Sequence, residues 1–188
     1  MIKIDKKILF IGKANDTYSN QIILILRKKF KFLEIFLCKN ENCKPNKKIS
    51  NWKGDIIFSF RSYFILNQKF INKAKICAIN FHPGPPSYRG LGCVNFALLN
   101  NENNYGCTAH LIDKKIDNGK IIDFRIFKIS KTETIDQVLQ KTYRIQIKQV
   151  NSIVKKLIKK DFKIKKLYMN KKWSKKLHTR KELNNLYK

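Results

Sequence analysis

Short apolar runs alternate with stretches of helical spacing along most of this chain, and the alternation predicts a succession of strands and helices. Residues 7–12 (KILFIG) form an apolar run closed by glycine, and residues 19–29 follow with apolar positions at helical intervals. Residues 32–38 (FLEIFLC) predict a second strand from their length and aromatic content, residues 39–52 a polar loop around Pro45, and residues 55–60 (DIIFSF) a buried third strand. A short helix over 67–74 leads to a fourth strand over 76–80 (ICAIN). Beyond a proline-rich loop the pattern predicts a helix over 94–100, then longer strands over 105–112 and 120–129 on either side of a turn at Asp117. Thr134 followed by Gln137 has the form of a capping box, and Val138, Tyr143, Ile145, Val150, Ile153, Val154 and Leu157 carry a long helix to about Lys160. Buried strands alternating with helices predict an α/β fold with an open, mainly parallel sheet flanked by helices. In such sheets ligands bind beyond the carboxyl ends of the strands.

A chain of 188 residues suits one good-sized domain, expected over residues 1–160, with residues 161–188 a basic tail packed on it. In that tail Tyr168, Trp173, His178 and Tyr187 are interleaved with lysines, and Thr179 with Glu182 forms a second capping-box pattern ahead of Leu183 and Leu186. The five cysteines are odd in number, show no C-x-x-C pair and fall partly inside apolar runs, which argues against a disulfide framework and for a reducing cytoplasm. The first apolar run breaks at Gly12 and Lys13, and no other approaches the roughly 18 residues of a membrane helix, so a soluble protein without a membrane partner is expected. A formal charge of +28 first suggests a binder of nucleic acid or another polyanion. The arginines, however, are confined to Arg27, Arg61, Arg89, Arg125, Arg144 and Arg180, while lysine is spread through every segment. That distribution reads as compositional, and no specific nucleic-acid partner is expected.

Candidate chemistry concentrates in residues 79–90 (INFHPGPPSYRG) and 108–122 (TAHLIDKKIDNGKII). These place Asn80, His82 and Asp117 where two loops converge: an amide that donates to an oxyanion, an imidazole that shuttles a proton, and a carboxylate that sets its charge. Together they suit acyl transfer to an amine. Each residue also has a structural reading, as a turn cap, a loop histidine and the opening of an Asp-Asn-Gly hairpin turn. Turn chemistry does not require Asn80 and His82 at this spacing. His110 lies in an apolar strand pattern and reads as a hydrogen-bonded core histidine. The histidines and cysteines show no metal-ligand spacing. Ser87 and Cys93 lack a nucleophile elbow or a matching base, so no covalent acyl-enzyme is expected.

The N-x-H-P-G signature at Asn80, joined to the G-x-T-x-H-x-x-D-x-x-x-D-x-G-x-I pattern matched by Gly106 through Ile121, resembles the formyltransferases that use 10-formyltetrahydrofolate. The likeness runs roughly from residue 7 to residue 160 and implies a Rossmann-like formyltransferase fold. It implies Asn80, His82 and Asp117 as catalytic residues, Asp117 being preferred to Asp113 and Asp123 because it immediately precedes Asn118-Gly119. Residues 55–66 resemble the family segment lining the pterin pocket, with Arg61 and Ser62 where relatives often carry other residues. The implied donor contacts are Ser62, Tyr63, Phe64, Ile65, Leu66, Asn80, Ile112, Asp113 and Asp117. The implied acceptor is a small primary amine with an anionic handle, preferably a nucleotide-linked amino sugar, the handle meeting Gly12-Lys13 or Arg89. Glycinamide ribonucleotide, methionyl-tRNA, or a non-catalytic role in binding RNA or another polyanion on the same fold are the alternatives.

Overall fold

The first strand shows how this sequence builds two packed layers from one sheet. In β1 (Ile4–Lys13), Ile8 and Phe10 face one side and Leu9 and Ile11 the other, and all four are fully buried. Alternate side chains of a strand point to opposite faces, so a continuous apolar run serves two cores. A computed structural model describes residues 2–187, and its main sheet has the order β2-β1-β3-β4-β6-β7. The other strands are β2 (Phe30–Cys38), β3 (Gly54–Phe60), β4 (Ala74–His82), β6 (Asn104–Leu111) and β7 (Ile121–Lys128). β2, β1, β3 and β4 pair in parallel, while β6 and β7 add antiparallel. The predicted α/β class and mainly parallel sheet therefore hold.

One face of the sheet is covered by α1 (Thr17–Lys29) and α5 (Ile135–Lys159). Asp16 caps α1 by accepting from the Ser19 amide at 2.8 Å, and Arg27, Lys28 and Lys29 in its last turn complement the helix dipole. The Thr134–Gln137 capping box opens α5, whose buried stripe runs Val138, Thr142, Gln146, Val150, Val154 at steps of four, joined by Gln149, Ile153 and Leu157. Each apolar side chain of that stripe is worth about 1.5–3 kcal/mol when buried. The opposite face carries Leu9, Ile11, Ile57 and Ala78 under α2 (Lys47–Ser50) and α3 (Gln68–Ile71).

Three local expectations are corrected. The polar stretch 39–52 contains the single turn α2, capped by Asn46. The helix expected over 67–74 stops at Ile71, because Ala74 already pairs with Gly54 as the first residue of β4. The fourth strand runs on to His82, two residues past its expected end, because Phe81 and His82 find antiparallel partners in Ala109 and Thr108.

Beyond α5 the chain turns through a short 3₁₀ segment (Ile164–Leu167) and lies back along the sheet's antiparallel edge. The Met169 amide donates to Ile121 at 2.9 Å, and Leu167 is buried. β8 (Leu177–His178) pairs in parallel with β5 (Arg89–Gly90), followed by α6 (Arg180–Asn185) with its predicted Thr179–Glu182 capping box. Gly90 has φ +87, and a Cβ there would strike the His178 carbonyl, so this close strand contact needs glycine. Among the described residues no helix is long and apolar enough to cross a membrane.

Candidate active site

Asn80 and His82 project from the same face of β4, where strand alternation puts every second residue. The antiparallel register sets His110 of β6 directly across from Asn80. Asp117 enters from the loop between β6 and β7 in the left-handed conformation, φ 43, which aspartate tolerates better than most side chains. Gly119 lets that loop fold tightly, since a Cβ there would overlap the Leu111 carbonyl.

These elements converge on one carboxylate. Asp117 Oδ2 lies 3.2 Å from His82 Nδ1, and Oδ1 lies 3.3 Å from His110 Nε2. The Gly90 amide donates to Oδ2 at 3.0 Å, and the Asn80 amide reaches Oδ1 at 3.5 Å and His110 Nε2 at 3.2 Å. His82 is only 3% exposed and His110 only 2%. Desolvation opposes charge on both members of the His82–Asp117 pair, and their mutual attraction and hydrogen bond outweigh it. The imidazole is held well above its ordinary value and the carboxylate well below. Geometry gives the same answer. His82 Nε2 sits 2.8 Å from the Tyr88 carbonyl, which only accepts, so Nε2 carries a proton. With Nδ1 facing the Asp117 carboxylate and Nε2 facing the Tyr88 carbonyl, the pocket suits a His82 ring that carries a proton on both nitrogens.

Arg89 braces this arrangement. Its Nε donates to the Asp117 carbonyl at 2.7 Å, Nη2 to Ile116 at 2.8 Å and Nη1 to Ser174 at 3.1 Å. The guanidinium is buried in these backbone contacts, so it fixes the loop and is poorly placed as the anchor for an acceptor's anionic handle. Cys93 also approaches the cluster, with Sγ 3.6 Å from His82 Nε2. That nitrogen faces the Tyr88 carbonyl as a donor, so it is no base for the thiol, which itself lies 3.3 Å from the Tyr88 carbonyl and 3.4 Å from that of Gly90, as donor.

Two further residues complete the cluster. His110 is the buried, hydrogen-bonded histidine expected from the strand pattern, and its partners are Asp117 and Asn80, which strand register sets opposite it. Trp173, from the tail, stands edge-on to both imidazoles, with ring centroids 5.6 Å from His82 and 5.0 Å from His110. Its indole N–H donates to Gly119 at 2.8 Å. An aromatic residue in a basic stretch was the only signal for it. On either side of residues 171–174 lie open clefts of about 470 and 590 Å³, the first lined by Lys120, Lys172 and Lys175, the second by Pro86, Phe124 and Ile126.

The residues implied for the donor fall into two groups. Phe64, Leu66 and Ile112 pack on the second core beside Ala78, one step along the same strand face from Asn80. Phe64 meets Phe36 and Phe70 edge-on, and the Ile112 amide donates to Ala78 at 2.8 Å. Ser62 accepts from the Phe64 amide at 2.9 Å, closing a tight turn that turns Tyr63 and Ile65 outward. Asp113 accepts from the Lys115 amide and from Asn118, bracing the Asp117 loop. Arg61, at φ 51, instead pairs with Asp16 at 2.8 Å and lies 3.7 Å over Tyr143.

Comparison with known proteins accords with this geometry. The bifunctional polymyxin resistance protein ArnA of Wigglesworthia glossinidia brevipalpis is 33% identical over 147 residues, covering 75% of this chain and 22% of that protein. The chain spans less than half the length of the curated relatives it matches. An N-formyltransferase from Helicobacter canadensis, solved in complex with folinic acid and dTDP-3-aminofucose, superposes with a TM-score of 0.72 at 23% identity, over 94% of this chain and 71% of that one. A 4-N formyltransferase from Francisella tularensis gives 0.76 at 19% identity, over 96% and 79%. The family model described as formyl transferase matches residues 35–157, a span that contains β3, β4, β6 and β7 and every member of the Asn80, His82, His110 and Asp117 cluster. This chain belongs to the formyl transferase family.

Proposed function

We propose that this protein transfers the formyl group of 10-formyltetrahydrofolate to the primary amine of a small anionic acceptor, a nucleotide-linked amino sugar. The observation that carries the reading is the convergence of Asn80, His82 and Asp117 on one buried ion pair at the carboxyl end of β4. The likeness to an enzyme solved with folinic acid and dTDP-3-aminofucose supports the choice of donor and acceptor.

The donor supplies an electrophilic formyl carbon. The apolar patch of Phe64, Leu66 and Ile112 suits a flat heteroaromatic ring beside Asn80. As the amine attacks, negative charge grows on the formyl oxygen. The Asn80 amide donates to that oxygen, an interaction worth about 3–4 kcal/mol when a single such donor is lost. His82 adds a fixed positive charge in a water-poor setting, where it acts strongly and needs no reorganisation. Asp117 keeps that charge in place, and Tyr88 and Arg89 keep the ring and the loop in register.

Tetrahydrofolate release, measured side by side with a nucleotide-linked 3- or 4-amino sugar, glycinamide ribonucleotide and charged initiator tRNA, tests the acceptor. The sugar is expected to react fastest. A clear preference for either of the others overturns the acceptor assignment and leaves the chemistry of the cluster standing.

A further inference from the structure

We propose that His110 is the group that takes and returns the amine proton, while His82 stays charged throughout; this rests on the formyl-transfer reading above. The two rings share Asp117 and differ in what their other nitrogens meet. Both nitrogens of His82 face acceptors, the Tyr88 carbonyl at 2.8 Å and the Asp117 carboxylate at 3.2 Å. Losing either proton would set a lone pair against an oxygen in a site almost closed to water, so the ring has no lone pair to offer.

His110 is arranged differently. Its Nδ1 donates to the Leu111 carbonyl at 2.7 Å, which fixes the tautomer and leaves Nε2 as the nitrogen that can gain or lose a proton. Nε2 lies between a donor and an acceptor, the Asn80 amide at 3.2 Å and Asp117 Oδ1 at 3.3 Å. Bare, it accepts from Asn80; protonated, it donates to Asp117. Both states are satisfied by groups already in place. The charged groups facing His110 are Asp117, from the loop after β6, and across it His82 on β4 and Arg89 on β5. Trp173 presents a neutral indole.

The same geometry couples proton transfer to oxyanion binding. The amine nitrogen bonds to the formyl carbon, the carbonyl π pair moves onto oxygen, and one amine proton passes to the Nε2 lone pair, directly or through one water. Protonated Nε2 no longer accepts from Asn80, whose N–H is released to the oxyanion. When the bond from the formyl carbon to the donor's N10 breaks, its electron pair stays on N10 and the proton moves there from His110.

Nitrogen-15 NMR of histidine-labelled wild-type protein reads the proton positions without any substrate. In the resting protein His82 is expected to carry a proton on both nitrogens and His110 on Nδ1 alone. A bare nitrogen on His82, or a proton on both nitrogens of His110, overturns the assignment. In the enzyme assay, His110→Gln should lower kcat about 10²-fold or more and hold the donor KM within several-fold. A folded variant with near-wild-type kcat also overturns it. If wild-type protein formylates no amine, the functional reading fails, and the NMR still decides where the protons sit.

Discussion

Asp117, in the loop between β6 and β7, and Asp123, within β7, are both buried carboxylates, and they differ in the kind of cation that holds them. Asp117 sits between two imidazoles, both nearly closed to water. Asp123 sits between Arg125 and Lys156, each at 2.7 Å, with Gln149 at 3.2 Å, and its two cations remain more than a third exposed. Both carboxylates are held below their ordinary range, Asp117 by His82 and His110 and Asp123 by Lys156 and Arg125, against desolvation in each case. Similar electrostatics thus serve different ends. Arginine and lysine do not titrate near neutrality, so the Asp123 cluster can only tie β7 to α5. Imidazoles can exchange protons, so the Asp117 cluster can do chemistry.

The largest expected effect breaks the comparison at its chemical end. His82→Ala should lower kcat by about 10²- to 10³-fold with donor affinity within several-fold, measured as tetrahydrofolate release. Near-normal turnover in the folded variant would remove His82 from the mechanism.

Stability separates the two carboxylates next. Asp117→Asn leaves a buried imidazolium without its counter-charge and should cost about 3–5 kcal/mol in urea unfolding. Asp123→Asn strands cations that can turn back to water, and about 1 kcal/mol is expected. Equal losses would mean that exposure of the partner does not set the cost.

The pH dependence gives a sharper version. His82 is raised in the folded state, so its contribution is complete below its unfolded value of about 6.5 and fades as pH rises through the folded value. Asp117 and Asp123 are lowered, so their contributions are complete above an unfolded value of about 4 and fade as pH falls through the folded ones. The stability gap between wild type and Asp117→Asn should therefore narrow on both the acid and the alkaline side. The gap for Asp123→Asn should narrow only in acid, and alkaline narrowing there would contradict the account.

The smallest effect concerns the cover. Trp173→Phe keeps an aromatic ring against the imidazoles and removes the bond to Gly119, at an expected cost of about 0.5–1.5 kcal/mol. A larger loss would show that the indole N–H holds the Asp117 loop in place.

Much of this molecule is legible in its order of residues. Apolar runs of strand length announced β1 to β4, and the Asp117-Asn118-Gly119 turn announced the β6–β7 hairpin, because these signals are local. The residues that complete the cluster are placed by contacts distant in sequence. His110 meets Asn80 through antiparallel register, and Trp173 reaches the site on a tail held at Met169, at Ser174 and at the β5–β8 pair. An apolar run ending at Asn80 leaves His82 in the loop that follows, whereas partners in β6 extend the strand to His82. Its charge was also hidden, since the Tyr88 carbonyl that fixes its second proton carries no side-chain signature.

The most direct test compares Asn80→Ala with Asp123→Asn in one formyl-transfer assay, each variant first shown to be folded. Asn80 is the least buried of the residues proposed to be catalytic. The account predicts that Asn80→Ala lowers kcat by about 10²- to 10³-fold, as expected for the loss of one oxyanion donor. It predicts that Asp123→Asn stays within about threefold of wild type, as expected for a group that only supports the fold. Full turnover by Asn80→Ala, or an equal loss in Asp123→Asn, would contradict the placement of the chemistry at Asn80, His82 and Asp117.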